Sequence, residues 1–240
     1  MKLSMPLASP HFTALLVILG IVVVATAQQP PTPKVTKEDV KRVERLAEEG
    51  HVRAMFNLGY YHEMGLGGLP VNNTQAMRWY ELAANKGDTS AQYNLGLMHA
   101  NGRGTPKNPK EALHWFKRAA DAGDAQAQYN LAIMYDQGHA GDRGRLEATH
   151  WFKESAERGH AKAQYTLGTM YLNGQNIARD PVEGYKWMSL AADQGLAEAV
   201  MDQRELWKKL GDSEVRAGQS RAVHFKPKSG PVSDPVNRRR

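Results

Sequence analysis

The chain has 240 residues and no cysteine, which excludes disulfides, thiolate metal sites and lipid attachment at a cysteine. Its formal charge of +6 would suit a polyanionic partner, but residues 211–240 carry +4 of it and Lys2 one more, leaving residues 28–210 near neutral at +1. A near-neutral body argues against specific nucleic-acid recognition, and the basic end is expected to touch anionic surfaces only through nonspecific, salt-sensitive attraction.

Residues 1–27 read as a signal peptide: Lys2 supplies the positive start, 12–24 is an apolar run, and Ala25-Thr26-Ala27 fits a small-x-small cleavage site. Cleavage after Ala27 and a secreted or periplasmic location are therefore expected. The alternative is an N-terminal membrane anchor, for which the run is short. Residues 28–36 form a proline-rich linker, expected to be extended. Thr36 with Asp39 has the spacing of a capping box. It opens a helix within 37–53 whose apolar stripe is Val40, Val43, Leu46 and Ala47, stopped at Gly50.

From residue 54 the chain repeats itself. Trp79, Trp115, Trp151 and Trp187 fall 36 residues apart, and an Ala-x-aromatic-x-Leu motif begins at Ala54, Ala91, Ala127 and Ala163. The first copy has one extra residue, expected in the loop 65–70, where an insertion costs least. Each leucine is followed by a small residue (Gly59, Gly96, Ala132, Gly168), and a second glycine closes the segment at Gly65, Gly102, Gly138 and Gly174. A tryptophan segment follows and ends on Gly87, Gly123, Gly159 and Gly195. A fixed period of this length is the signature of stacked helix pairs, with units at 54–90, 91–126, 127–162 and 163–198.

Within a unit, Ala91, Leu95 and Met98 make one apolar stripe at i, i+4, i+7. Gly102 terminates that first helix as a left-handed cap. A second helix starts near Pro109, a favoured first-turn residue, and buries Ala112, Trp115, Phe116 and Ala119. Asp88 and Asp124 are expected N-caps of the next units. Glycine at 96 costs a helix about 1 kcal/mol against alanine, so its recurrence predicts close backbone approach to the partner helix. The tryptophans, each on an apolar face, are expected to pack the core rather than stack on sugars or bases. Residues 199–225 are expected to cap the array with helices, the first held down by Trp207. The basic tail 226–240 is expected to be disordered.

The wording Ala-x-Tyr-x-Leu-Gly-x-Met-Tyr-x-x-Gly, clearest from Ala163 to Gly174, followed by Ala-x-x-Trp-Phe-x-x-Ala-Ala-x-x-Gly, resembles the Sel-one-like repeat, a cousin of the tetratricopeptide repeat. The resemblance covers about residues 37–210. Ala132, Gly184 and the loop 138–145 depart from the pattern. The resemblance implies an all-α fold, an α/α solenoid wound as a right-handed superhelix, acting as a scaffold or adaptor. In bacteria such proteins are commonly exported, and some relatives bind cell-wall or β-lactam ligands.

The residues carry little sign of chemistry. Gly-x-Ser-x-Gly and serine three residues before lysine are both absent, and Gly102-Arg103-Gly104 lacks the strand and spacing of a dinucleotide loop. Histidines fall in shared columns (His62 with His99, His114 with His150, His51 with His160), about 10 Å apart in stacked repeats, too far to share zinc. No catalytic residue, metal or cofactor is therefore expected, and the chain is not expected to be an enzyme. The first helices line the concave side in tetratricopeptide-like arrays. Carried across residue by residue, that geometry would turn Phe56, Tyr93, Tyr129 and Tyr165, with Asn57, Asn94, Asn130 and Thr166, toward a groove. Asparagine both donates and accepts, which suits an extended peptide or a glycan. A protein or peptide partner is the first reading and a cell-wall glycan or peptide the second. In the bland alternative the tyrosines pack against the next repeat and the asparagines are merely solvated.

Overall fold

The computed structural model describes residues 35–138 and 144–229, together with the backbone of a short antiparallel pair, Val17–Ile18 with Ile21–Val22. The expected cleavage site after Ala27, residues 28–34 of the linker and residues 230–240 of the tail lie outside the described residues. Residues 35–138 and 144–229 form a run of helices, α1 (Lys37–Glu48), α2 (Val52–Met64), α3 (Asn73–Asn85), α4 (Thr89–Asn101), α5 (Pro109–Asp121), α6 (Ala125–Asp136), α7 (Gly144–Glu157), α8 (Ala161–Asn173), α9 (Pro181–Asp193), α10 (Ala197–Lys209) and α11 (Asp212–Val223). The repeat body is all-α. Each even-numbered helix from α2 to α8 pairs with the odd-numbered helix after it, and each pair packs on the next. Among the described residues no helix is long and apolar enough to cross a membrane.

Local chemistry sets the helix ends. Thr36 and Asp39 form the capping box of α1, Asp88 and Asp124 accept the Ala91 and Ala127 amides, and Pro109 sits in the first turn of α5. The extra residue of the first copy lies between its two helices: 65–72 separates α2 from α3, whereas 102–108 and 174–180 do the same work one residue shorter. The longer loop holds a single 3-10 turn, Leu66–Gly68, that packs on α1.

The mid-helix glycines answer to aromatic rings. A Cβ on Gly96 would lie 2.5 Å from the Phe116 ring, and one on Gly59 2.7 Å from Tyr80. Backbone approach, the expected reason, holds for Gly168, where a Cβ would meet the Gly184 carbonyl oxygen and the Met188 nitrogen at 3.1 Å. The same contact explains Gly184. A Cβ there would meet Leu172 at 2.6 Å, and by repeat equivalence Leu172 and Gly184 replace Ala100 and Ala112. A larger residue on α8 is thus matched by a smaller one on α9, which makes room for its branch.

The tryptophans serve the core. Trp115, Trp151 and Trp187 are buried and Trp79 is half-buried. A buried glutamine then ties each unit to the one before: Gln92, Gln128 and Gln164 donate from Nε2 to the carbonyls of Ala84, Ala120 and Ala156 at 3.0–3.1 Å. These carbonyls end the preceding second helix, where each also accepts the amide of the glycine three residues on, Gly87, Gly123 or Gly159, at 2.9–3.0 Å, so the glutamine adds a second bond to a helix end. Replacing Gln128 by leucine removes the side-chain bond but leaves the Ala120 carbonyl paired with the Gly123 amide, so denaturant unfolding should show a loss of about 0.5–1.5 kcal/mol. An unchanged midpoint would mean that water replaces the amide.

The carboxyl-terminal end departs from expectation in two ways. Trp207 does not hold α10 down, since it is 57% exposed. Leu206 and Ala199 pack against Met188 and Ala191 instead, and Gln203 donates to the Ser189 hydroxyl at 2.9 Å. In the columns of Leu167 and Gly168, α10 carries Gln203 and Arg204, so it offers no apolar face to a helix of its own unit. Helix α11 packs on α9, with Gly218 against the Tyr185 ring and Arg221 paired to Glu183 and Asp180. The second departure is the start of the tail. Residues 226–229, expected to be disordered, are laid against α7, held by Lys228 and Ser229.

Candidate functional site

The first helices α4, α6, α8 and α10 present their amino-terminal turns side by side. Between them lies a cleft of about 530 Å³ lined by Tyr93, Gln126, Tyr129, Asn130, His160, Lys162, Gln194 and Leu196, among others. No carboxylate lines it. Two smaller cavities of about 250 and 240 Å³ lie further along the same helices, one between α4 and α6 and one between α6 and α8.

Tyrosines join one unit to the next across this face. Asn130 donates from Nδ2 to the Tyr93 hydroxyl at 3.4 Å, Tyr129 faces Thr166 in the same way, and the Tyr165 hydroxyl donates to Asp202 at 2.8 Å. Burial raises the pKa of Tyr93 and Tyr129, and for Tyr165 the hydrogen bond to Asp202 is the larger cause. The rings lean on the second helix, with Tyr93 5.9 Å from Phe116 and Tyr129 5.8 Å from Phe152. His160 sits where Asp88 and Asp124 cap the earlier units. Its Nδ1 accepts the Ala163 amide at 3.2 Å and its ring lies 4.7 Å from Tyr129. Burial, helped by the Lys162 charge, lowers its pKa to about 4, so the imidazole is neutral at pH 7.

Of the residues expected at a groove, Tyr93, Tyr129 and Asn130 line the large cleft and Tyr165 and Thr166 the α6–α8 cavity. Phe56 does not belong to this surface. It is buried, packed on Tyr80 at 5.6 Å and covered by the Arg53 guanidinium at 4.9 Å. Asn57 is half-buried beside it, and Asn94 is turned to the Tyr80 hydroxyl. Neither lines any of the three cavities. The Tyr80 hydroxyl donates to Glu63, which also holds Arg103.

The repeat model of one family matches this architecture helix for helix: the Sel1 repeat, at residues 52–88, 89–124, 125–160 and 161–196. The chain belongs to the Sel1 repeat family. Each Sel1 unit runs from the first residue of a first helix to the capping residue of the next, two residues ahead of the boundaries expected from the alanine motif. Two solved structures share the fold. A protective antigen of uropathogenic Escherichia coli with an SLR fold is 27% identical at a TM-score of 0.70, over 78% of this chain and 40% of that one. A Sel1 repeat protein from Oxalobacter formigenes is 30% identical at a TM-score of 0.67, over 72% and 50%. Among curated proteins, HRD3A of Arabidopsis thaliana, a component of an ERAD-associated E3 ubiquitin-protein ligase, is 34% identical over 67 residues. That match spans 28% of this chain and a tenth of the plant protein. HRD3B, a component of the same kind, is 43% identical over 56 residues, 9% of its length.

Within the Sel1 frame, the residues that sequence reasoning missed share one address. Gln126, His160, Lys162, Gln194 and Leu196 lie in, or just before, the opening turns of α6, α8 and α10. The signal was present: His160 falls 36 residues after the capping Asp124. Its column was readable as a cap, but its place beside Tyr129 depends on how successive units stack.

Proposed function

We propose that the chain is an exported interaction scaffold that holds a protein or peptide partner in the cleft across α4, α6, α8 and α10. The observation that carries this reading is the cleft itself: Gln126, Asn130, Lys162 and Gln194 offer amide and ammonium groups beside Tyr93 and Tyr129, across α4, α6, α8 and the turn that leads into α10. Such a surface suits an extended backbone, which needs donors and acceptors at intervals. Sel1 repeat proteins are in general protein-interaction scaffolds, and the plant relatives are named as components of a larger ligase assembly. Export rests on Lys2, the apolar run 12–24 and Ala25-Thr26-Ala27. The reading assigns no catalytic step. His160 is neutral and its Nδ1 accepts the Ala163 amide, a capping role in this reading.

A second reading, a cell-wall glycan or peptide bound in the same cleft, is favoured by the Tyr129 ring beside side-chain amides. One experiment separates the two. A photoreactive residue replaces Gln126, which is exposed on the cleft, and crosslinks formed in the native host are identified by mass spectrometry. The expected result is one protein partner, lost when Lys162→Glu and Asn130→Ala are added. Crosslinks to wall material alone would establish the second reading, and no crosslink at all would sink the cleft as the binding surface.

A further inference from the structure

On the second helices, the chain lays its own residues 225–229 across α9 and α7 as a strap without helical structure. The Phe225 ring meets Trp187 edge-on at 5.3 Å, and the Lys186 ammonium lies 4.2 Å from the Trp187 ring and 5.7 Å from that of Phe225. Pro227 lies beside Gly159. The Lys228 amide donates to the Glu157 carbonyl at 2.8 Å, and its ammonium pairs with the carboxylates of Glu154, at 3.0 Å, and Glu157. Arg158 donates from Nη1 to the Ser229 carbonyl at 2.8 Å. An aromatic slot, a backbone acceptor, a guanidinium for a peptide carbonyl and an acid pair for one cation are the means by which surfaces capture extended peptides.

Two observations mark the strap as a replaceable occupant. Its charged contacts face water, with the Lys228 side chain 47% exposed, so they are individually weak and screened by salt. It also matches the surface incompletely, because the Arg158 Nε–H and the Trp187 Nε1–H are buried with no acceptor. The indole of Trp151 shares that state, which makes the guanidinium the more informative of the two. Trp115 and Trp151 are covered by Arg118 and Lys117 of the repeats themselves, whereas Trp187 is covered by the strap residue Phe225 and by Lys186. Removing the strap would open an aromatic surface flanked by two carboxylates and a guanidinium.

We propose that this face of α7 and α9 is a peptide-docking surface held by a built-in occupant, and that it takes from a partner an extended segment in which an aromatic residue is followed three positions later by lysine. The proposal concerns residues of α7 and α9 other than those that line the cleft and does not depend on the cleft.

The test uses the full chain and a labelled, end-blocked peptide of the strap sequence Phe-Lys-Pro-Lys-Ser, followed by fluorescence anisotropy. Phe225→Ser with Lys228→Ser releases the strap, which hydrogen exchange at residue 228 verifies. The released variant should bind the peptide at least tenfold more tightly than the parent chain, and adding Glu154→Gln with Glu157→Gln should abolish that gain. A released variant that ignores millimolar peptide would overturn the proposal and leave the strap a fixed staple. Should that variant lose its helical circular dichroism, the parent chain decides: saturating peptide should speed exchange of the Lys228 amide while α9 stays protected, and no change would overturn the proposal. A concentration-dependent dimer of the parent chain that the peptide dissociates would replace the partner with the strap of a second copy.

Discussion

Phe116→Ala is expected to lower the unfolding free energy by about 3–5 kcal/mol. The ring is 2% exposed, packs under Tyr93 and fills the space opposite Gly96. The neighbouring glycine makes the test specific. Gly96→Ala alone gains about 1 kcal/mol of helix propensity, but its new Cβ would stand 2.5 Å from the Phe116 ring. A ring locked in the core cannot yield as a flexible side chain would, so the net effect should be a loss of about 1–3 kcal/mol. In the Phe116→Ala background the ring is gone, and the same Gly96→Ala should be neutral or stabilising. The third repeat carries Ala132 with Phe152 in one core cluster, so the fold admits a methyl in this column where the surrounding packing accommodates it. Denaturant melts of the four proteins give the coupling directly. Additive losses would mean that Gly96 is a tolerated defect with no packing role.

The second large effect is on pH. His160 has its pKa lowered to about 4 from the ordinary 6.5, so between these values the unfolded chain binds more protons than the folded one. Stability is therefore full above pH 6.5, falls as the pH drops toward 4, and is constant below that as far as this group is concerned. At about 1.4 kcal/mol per unit, the loss across the window is about 2–3 kcal/mol for this half-buried imidazole. His160→Asp restores the residue that caps the second and third repeats at Asp88 and Asp124. It should keep α8 intact while removing that step from the pH profile of the melting midpoint. Parallel profiles for parent and variant would show that His160 protonates in the folded state without penalty.

The candidate site was half legible. The columns of Tyr93, Tyr129, Asn130, Tyr165 and Thr166 lead to the cleft and the α6–α8 cavity because equivalent residues in a stack share an address. Phe56 failed on the same logic: it shares the column, but it has no hydroxyl to present, and Arg53 closes over its ring. The strap was not legible. Its hydrogen bonds join residues 71 and 74 apart in the chain, and nothing in the repeat echoes them.

By itself the sequence determined the all-α class, the number of repeats, most helix ends and the columns that form the core. These depend on local capping chemistry and on contacts that every unit makes again with its neighbour, so each is written several times over. The tertiary structure alone decided the things made once. Leu206 rather than Trp207 anchors α10, α11 packs on α9 because Gln203 and Arg204 deny it an apolar partner on α10, His160 closes one wall of the cleft, and residues 225–229 lie across α7. The reason is that such contacts pair positions with no periodic counterpart, and their partners are chosen only when the ends of the stack find surface left to bury.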